Sequence, residues 1–304
     1  MNSPSAKLSI TVLLAVKNEA SNLPKCLAAL HPAQRVLVID SHSTDLTPDI
    51  ATQWGAEVHQ FSYAGGYPKK RQWALDQIPI HTDWVFFLDA DEVVPQALWQ
   101  EIEAAITGPK PEDGYMIVKG FHFLGRPMRY GGFSHAAVLL VRNGKGRFEH
   151  LFDDLADGLD MEIHERVIVD GSVGSLATPV IHEDFKGLEA YITRHNKYST
   201  WEARLRHRFL TTGVYGQSTI TPRLFGNGQE RRRWMKAVII RLPIEPWLWF
   251  LYHYILRMGF LEGHAGLIAS RIRASYIQQT RAKIFELELG LQSRRAAQAE
   301  RARV

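Results

Sequence analysis

Cysteine is nearly absent. The single Cys26 in 304 residues excludes an intramolecular disulfide and any zinc site built from several thiolates, and it suits a reducing compartment. Cys26 itself reads as a packed helix residue. A basic leader is also missing, because Met1–Lys7 is polar and Leu8–Val16 reads as a short buried strand. No secretory signal is therefore expected, and the chain reads as cytosolic in origin. Its histidines, among them His42, His122, His135 and His164, do not repeat at zinc-site spacing. The charge-free stretch Pro246–Leu256 is 11 residues long. As a helix it would reach about 16 Å against a hydrocarbon core of about 30 Å, so it cannot span a membrane. There is no internal repeat.

What is present is ordinary globular composition, 45% hydrophobic and 22% charged, which excludes whole-chain disorder. The length allows one large core, or a domain of about 200 residues with an appendage. Charge is divided unevenly. Residues 1–193 hold 16 Lys/Arg against 25 Asp/Glu, whereas residues 194–304 hold 20 against 7, so the net +4 conceals a basic C-terminal region.

Short apolar runs alternate with helical patterns through the first hundred residues: Leu8–Val16, Ala20–Leu30, Val36–Ile39, Thr47–Trp54, Glu57–Phe61, Pro68–Gln77, Trp84–Leu88 and Pro95–Ile106. That order predicts parallel strands with crossover helices, an α/β sheet whose ligands bind at the carboxyl ends of its strands. Polar clusters fall at those ends, as Lys17-Asn18-Glu19, Asp40-Ser41-His42-Ser43-Thr44-Asp45 and Asp89-Ala90-Asp91-Glu92. Residues 114–182 read as strands and hairpins, with a turn at Asn143-Gly144-Lys145-Gly146 between Val138–Arg142 and Arg147–Glu149. An acidic loop holds Asp153, Asp154, Asp157, Asp160 and Glu162. From Gly187 the pattern is helical: Leu188–Leu210, a break over 211–228, Arg231–Leu242, then Trp247–Leu289 interrupted near Gly259–Gly266.

An Asp-x-Asp directly after the strand Trp84–Leu88 puts two carboxylates on one side of an extended backbone, where they can ligate Mg²⁺ or Mn²⁺. Such a cation neutralises charge on a leaving diphosphate. Acids before a helix beginning near Pro95 also suit the helix dipole, so the motif alone leaves both readings open. The two other clusters on the same edge favour the ligand site.

Leu13-Leu14-Ala15-Val16-Lys17-Asn18-Glu19, Val38-Ile39-Asp40-Ser41-His42-Ser43-Thr44-Asp45 and Phe87-Leu88-Asp89-Ala90-Asp91-Glu92 resemble, in order and spacing, the three signature segments of the family 2 glycosyltransferases. The chain is similar to the bacterial lipopolysaccharide-core and exopolysaccharide subgroup through Lys70-Arg71-Gln72-Trp73-Ala74-Leu75, His164-Glu165-Arg166-Val167 and Arg257-Met258-Gly259-Phe260-Leu261-Glu262-Gly263. The likeness covers roughly residues 8–285. It implies a Rossmann-like GT-A nucleotide-sugar domain with a mixed sheet over 1–185, a basic amphipathic helical region over 186–304, a divalent metal, and inversion at the anomeric carbon. By position, Ala15 and Glu19 would border base and ribose, Asp40 would bond the base, and Lys70 or Arg71 would meet the nucleotide or its phosphates. Asp89 would serve ribose and metal, and Asp91 would be the direct ligand. Asp45 reads equally well as a helix cap.

The family commonly takes its base from a Glu-Asp pair, and none occupies the expected stretch. Glu165 is the candidate there, Asp153 or Asp154 the fallback, and Glu183-Asp184 a competitor. His182, ending the short strand Pro179-Val180-Ile181, is placed to be a distal metal ligand or a hydrogen-bonded structural residue.

In the basic region, Arg231, Arg232, Arg233, Lys236 and Arg241 precede Pro246–Leu256, and Arg257, Arg271, Arg273, Arg281 and Lys283 follow it. Trp247 and Trp249 beside these cations suit the interface of an anionic bilayer, on the cytoplasmic face of the inner membrane. A buried helical subdomain is the simpler alternative. No recognition helix or RNA-binding module accompanies the charge, so no nucleic-acid partner is expected. The expected partners are a nucleotide-sugar donor, of which uridine is the favoured base, a glycan or lipid-linked acceptor, and that membrane surface. A sugar nucleotidyltransferase shares the same metal-and-diphosphate chemistry and differs in releasing pyrophosphate.

Overall fold

The computed structural model describes residues 7–150, 166–184, 186–213, 223–225 and 228–301. The elements run β1 (Leu8–Val16), α1 (Leu23–Ala28), β2 (Ala33–Asp40), α2 (Thr47–Gln53), β3 (Glu57–Gln60), α3 (Lys70–Gln77), β4 (Trp84–Leu88), β5 (Glu92–Val93) and α4 (Gln96–Thr107). Then come β6 (Gly114–Phe123), β7 (Arg126–Pro127), β8 (His135–Arg142), β9 (Gly146–Phe148), β10 (Val167–Val169), β11 (Val173–Ser175) and β12 (Val180–His182). The chain falls into two compact units: Met1–Met128 with Ser134–Lys186, and Arg129–Phe133 with Gly187–Val304.

In the first unit the main sheet has the order β3-β2-β1-β4-β8-β6-β12-β5. β1, β2, β3 and β4 are parallel, and β8 enters antiparallel to β4. This is the Rossmann-like mixed sheet that the resemblance implies. Its core follows from strand periodicity, since alternate side chains leave opposite faces. Ile10, Val12, Leu14 and Val16 of β1 join Phe86 and Leu88 in a cluster that receives Leu23 and Cys26 of α1 and Leu98, Trp99 and Ile102 of α4. Leu13 faces the other way, with Leu37, Ile39, Val85, Phe87 and the α3 residue Ala74. Both faces are thus covered, which is why β1 and β4 read as unbroken apolar runs.

The turn at Asn143-Gly144-Lys145-Gly146 forms, with the Lys145 N–H donating to the Arg142 carbonyl at 3.0 Å. The strand after it, however, pairs with β10 rather than folding back on β8, with Phe148 opposite Val167. Phe148 packs edge-on against Phe87 at 5.0 Å between centroids, and that apolar contact draws β9 toward the second cluster.

The second unit is helical: α5 (Gly187–Thr212), α6 (Gly228–Arg241), α7 (Glu245–Leu251), a π-helical turn over Tyr252–Leu256, a 3₁₀ turn over Gly259–Glu262, and α8 (Gly263–Arg301). A buried ion network ties α5, α7 and α8. Arg206 reaches Glu202 within α5 at 2.6 Å and Glu245 of α7 at 2.8 Å, while Arg281 of α8 reaches Glu245 at 3.3 Å.

Candidate active site

The site lies at the carboxyl edge of β1, β2 and β4, where parallel register aligns the strand ends. Val16 stands opposite Asp40 and Leu14 opposite Leu88. Two loops close this edge by bonding to each other. Asn18, in the left-handed backbone region at φ 53°, accepts the Thr44 N–H at 2.8 Å through its side-chain oxygen, and its own N–H donates to Ser43 Oγ at 2.8 Å. An asparagine tolerates that conformation because its short amide bonds locally. Asp45 accepts the N–H of Thr47 at 3.0 Å and that of Ala20 at 3.2 Å, so the structural reading of Asp45 is realised in hydrogen bonds.

Asp40 is fully buried at the end of β2. Its carboxylate accepts the Ser43 N–H at 3.0 Å, the Ser43 hydroxyl, and the Gln60 amide at 3.0 Å, which fixes its orientation. Ala15 precedes the end of β1 and is half-buried. Lys70, at the start of α3, donates from its ammonium to the Val16 carbonyl at 3.0 Å. Glu19 is tied to Lys186 at 2.5 Å and accepts the Asn22 amide at 2.8 Å. Burial raises its pKa, while those two partners pull the other way.

The acidic segment after β4 divides into two arrangements. Asp89 is held between two cations, with Arg71 donating to one carboxylate oxygen and Lys119 of β6 to the other at 2.7 Å. Burial disfavours its charge, yet Lys119 and Arg71 hold its carboxyl well below the usual range. Lys119 also lies 2.5 Å from Glu92, which is fully buried and accepts the Asp89 N–H at 3.0 Å. Burial pushes the Glu92 carboxyl up to about 7, against the pull of Lys119. Asp91 faces elsewhere. β12 pairs antiparallel with β5, setting His182 opposite Glu92, and its imidazole Nε2 comes within 3.3 Å of an Asp91 carboxylate oxygen. Burial favours the neutral ring, but the facing carboxylate raises the His182 pKa to about 9.

These donors fit a divalent ion in part. Asp91 and His182 offer one carboxylate and one imidazole in contact, whereas both Asp89 oxygens are engaged by cations. No cluster of three His, Cys, Asp or Glu side chains suited to a metal occurs among the described residues. A hard cation held by two protein groups takes its other ligands from water and phosphate oxygens, the usual arrangement for Mg²⁺ beside a nucleotide.

Lys119 was not visible as a site residue in the sequence. The available signal was a lone cation inside the otherwise apolar strand Met116-Ile117-Val118-Lys119-Gly120-Phe121, a placement that calls for a buried anion. Glu165, Asp153 and Asp154 lie outside the described residues. Of the competing pair, the Glu183 N–H donates to the Asp91 carbonyl at 2.9 Å and its carboxylate lies 3.5 Å from Lys25. Asp184 accepts from the Asn22 amide at 3.1 Å and the Lys186 N–H at 3.0 Å, so it joins β12 to α1.

Residues 11–116, which contain all three segments at the sheet edge, match Glycosyl transferase family 2. The chain is 25% identical over 287 residues to the lipopolysaccharide core biosynthesis glycosyltransferase LpsC of Rhizobium meliloti, covering 92% of this chain and 93% of that protein. Among solved structures it is similar to S. aureus TarS in complex with UDP, at 16% identity and a TM-score of 0.41 over 92% of this chain and 91% of that one. It is also similar to the mannosyltransferase PcManGT of Pyrobaculum calidifontis in complex with GDP-Man and Mn²⁺, at 14% identity and a TM-score of 0.46 over 93% and 88%. The family 2 match is confined to residues 11–116, and the protein is a glycosyltransferase.

Proposed function

We propose that the protein moves a hexose from a nucleoside-diphosphate sugar, a uridine one, to a hydroxyl of a lipid-linked or lipopolysaccharide-core saccharide, inverting the anomeric carbon. The observation that carries this reading is the convergence of Asp40, Arg71, Asp89 and the Asp91–His182 pair on one sheet edge. The similarity to LpsC along nearly the whole of both chains supports the acceptor class. Residues 1–185 act as the catalytic domain and 186–304 as a membrane-associating region, placing the protein peripherally on the cytoplasmic face of the inner membrane.

Each group has a task suited to its chemistry. Asp40, oriented by Ser43 and Gln60, accepts the N–H of the base. Ala15 and Glu19 border base and ribose, and Asp89, held ionised by Arg71 and Lys119, accepts ribose hydroxyls. Lys70 and Arg71 answer phosphate. Asp91 and His182 would hold a divalent ion, Mg²⁺ or Mn²⁺, which would supply neutralisation of the charge on the leaving diphosphate. Glu165, with Asp153 or Asp154 as the fallback, takes the acceptor hydroxyl's proton as that oxygen attacks the face opposite the diphosphate.

Asp91→Ala is expected to cut metal-dependent sugar transfer by at least about a hundredfold. Near-normal transfer by that variant refutes the proposal. Glu165→Gln should keep the thermal shift given by the nucleotide-sugar yet lose transfer; if it stays active while Asp153→Asn or Asp154→Asn does not, the base lies in the acidic loop.

A further inference from the structure

The segment from Ile244 to Leu261 is built inside out. Two of its ionisable residues turn inward: Glu245 is 1% exposed and His253 is 5% exposed. They form one helical row with Trp249, four residues from each. Glu245 is held by Arg206 and Arg281, Trp249 stacks on His253 at 5.5 Å, and His253 Nδ1 bonds the Gly131 carbonyl at 2.6 Å. The opposite rows are apolar and bare. Trp247 is 72% exposed and Leu256 73%, and Leu251, Tyr252, Ile255, Phe260 and Leu261 are exposed as well. A helix surface meant for water has the reverse arrangement. Buried ion pairs that fix its polar row inward leave its apolar row no core to fill.

Charge indicates what covers this face. Between Pro246 and Ala282 the sequence has one acid, Glu262, against Arg257, Arg271, Arg273 and Arg281. The Glu262 carboxylate is engaged by the backbone N–H groups of Arg129 and Tyr130, both at 2.7 Å. Arg257 and Arg271 are exposed. An exposed apolar rib with tryptophan and tyrosine, in a segment whose exposed charges are Arg257 and Arg271 and whose one acid is already engaged, matches the headgroup and acyl boundary of an anionic bilayer. No helix among the described residues is long and apolar enough to cross a membrane.

We infer that the Trp247–Leu261 face inserts into the boundary layer of an anionic lipid bilayer, with Trp247, Leu251, Ile255 and Leu256 among the acyl chains and Arg257 and Arg271 at lipid phosphates. The inference deepens the proposed function, on whose lipid-linked acceptor it rests for its biological sense.

The test is co-sedimentation of the full chain with phosphatidylcholine vesicles, with and without phosphatidylglycerol. Wild type should partition onto the anionic vesicles, and the Trp247→Ser/Leu256→Ser double variant should bind at least about tenfold more weakly, with unchanged circular dichroism. A wild type that ignores anionic vesicles, or a double variant that binds undiminished, overturns the inference. So does a wild-type dimer that the double variant converts to monomer without loss of vesicle binding, since the face would then join two copies. Should the double variant fail to fold, quenching by acyl-brominated phosphatidylglycerol is compared between wild type and Trp247→Phe. A large drop in quenching supports insertion, and an equal signal overturns it. The thermal shift given by UDP-sugars in the same preparations reports the donor site separately, so a failed donor site and a failed membrane face are distinguishable.

Discussion

Removing the Lys119 ammonium would leave Glu92, fully buried, beside Asp89 with one cation fewer. Breaking a buried pair from one side costs about 3–5 kcal/mol because a charge is stranded. Lys119→Met should therefore destabilise the protein by roughly 3 kcal/mol at pH 8. The deficit depends on pH with a definite sign. A carboxyl whose folded pKa is raised, as burial raises Glu92 to about 7, contributes most below its unfolded value and loses that contribution as pH rises through the folded one. Without Lys119 the folded value rises further, so denaturant unfolding should show a smaller deficit at pH 5 than at pH 8. Adding Glu92→Gln should recover much of the loss, and a double variant no more stable than Lys119→Met at pH 8 would refute the pairing. The place of Asp40 and Asp89 at strand ends was legible in the sequence because each follows an apolar run directly, with Asp91 two residues on. Lys119 was not, because its meaning depends on which strand lies beside β4 and β5.

Elements show the same division. β1 to β4 and their helices were readable because local periodicity and parallel register suffice to place them. The pairing of β12 with β5 joins segments about ninety residues apart through only two register positions, Ile181 with Val93 and His182 with Glu92, and no local pattern announces it. Yet that pairing is what brings His182 to Asp91. α7 is a further case. Its helical pattern was plain, but the direction it faces is decided by Glu245, whose carboxylate meets Arg206 and Arg281. Glu245→Ala should cost roughly 3 kcal/mol in urea unfolding, because it takes one of two carboxylates from the buried Arg206, leaving it Glu202, and removes the carboxylate that meets Arg281. Glu57→Ala, breaking an ion pair with Arg35 of 2.7 Å but half-exposed, should cost under about 1 kcal/mol. Equal losses would show that the α7 network does not behave as a buried one.

At the scale of the whole molecule, the division of charge makes one testable separation. Residues 194–304 carry 20 Lys/Arg against 7 Asp/Glu, although the chain as a whole is only +4. Attraction of that region to anionic lipid acts at long range and is screened, with a Debye length of about 8 Å at physiological salt and about 3 Å at 1 M. Burial of Trp247, Leu251 and Leu256 in acyl chains is a contact term that salt does not weaken. Raising NaCl from about 0.1 M to about 1 M should lower partition onto phosphatidylglycerol vesicles at least tenfold without abolishing it. The Trp247→Ser/Leu256→Ser variant, left with Leu251 and Ile255 as its inserted apolar contacts, should fall further than wild type at the same salt. Salt-independent partition of wild type would remove the cations from the mechanism. Partition that vanishes equally in wild type and variant would instead leave the apolar rows of α7 without a share in it.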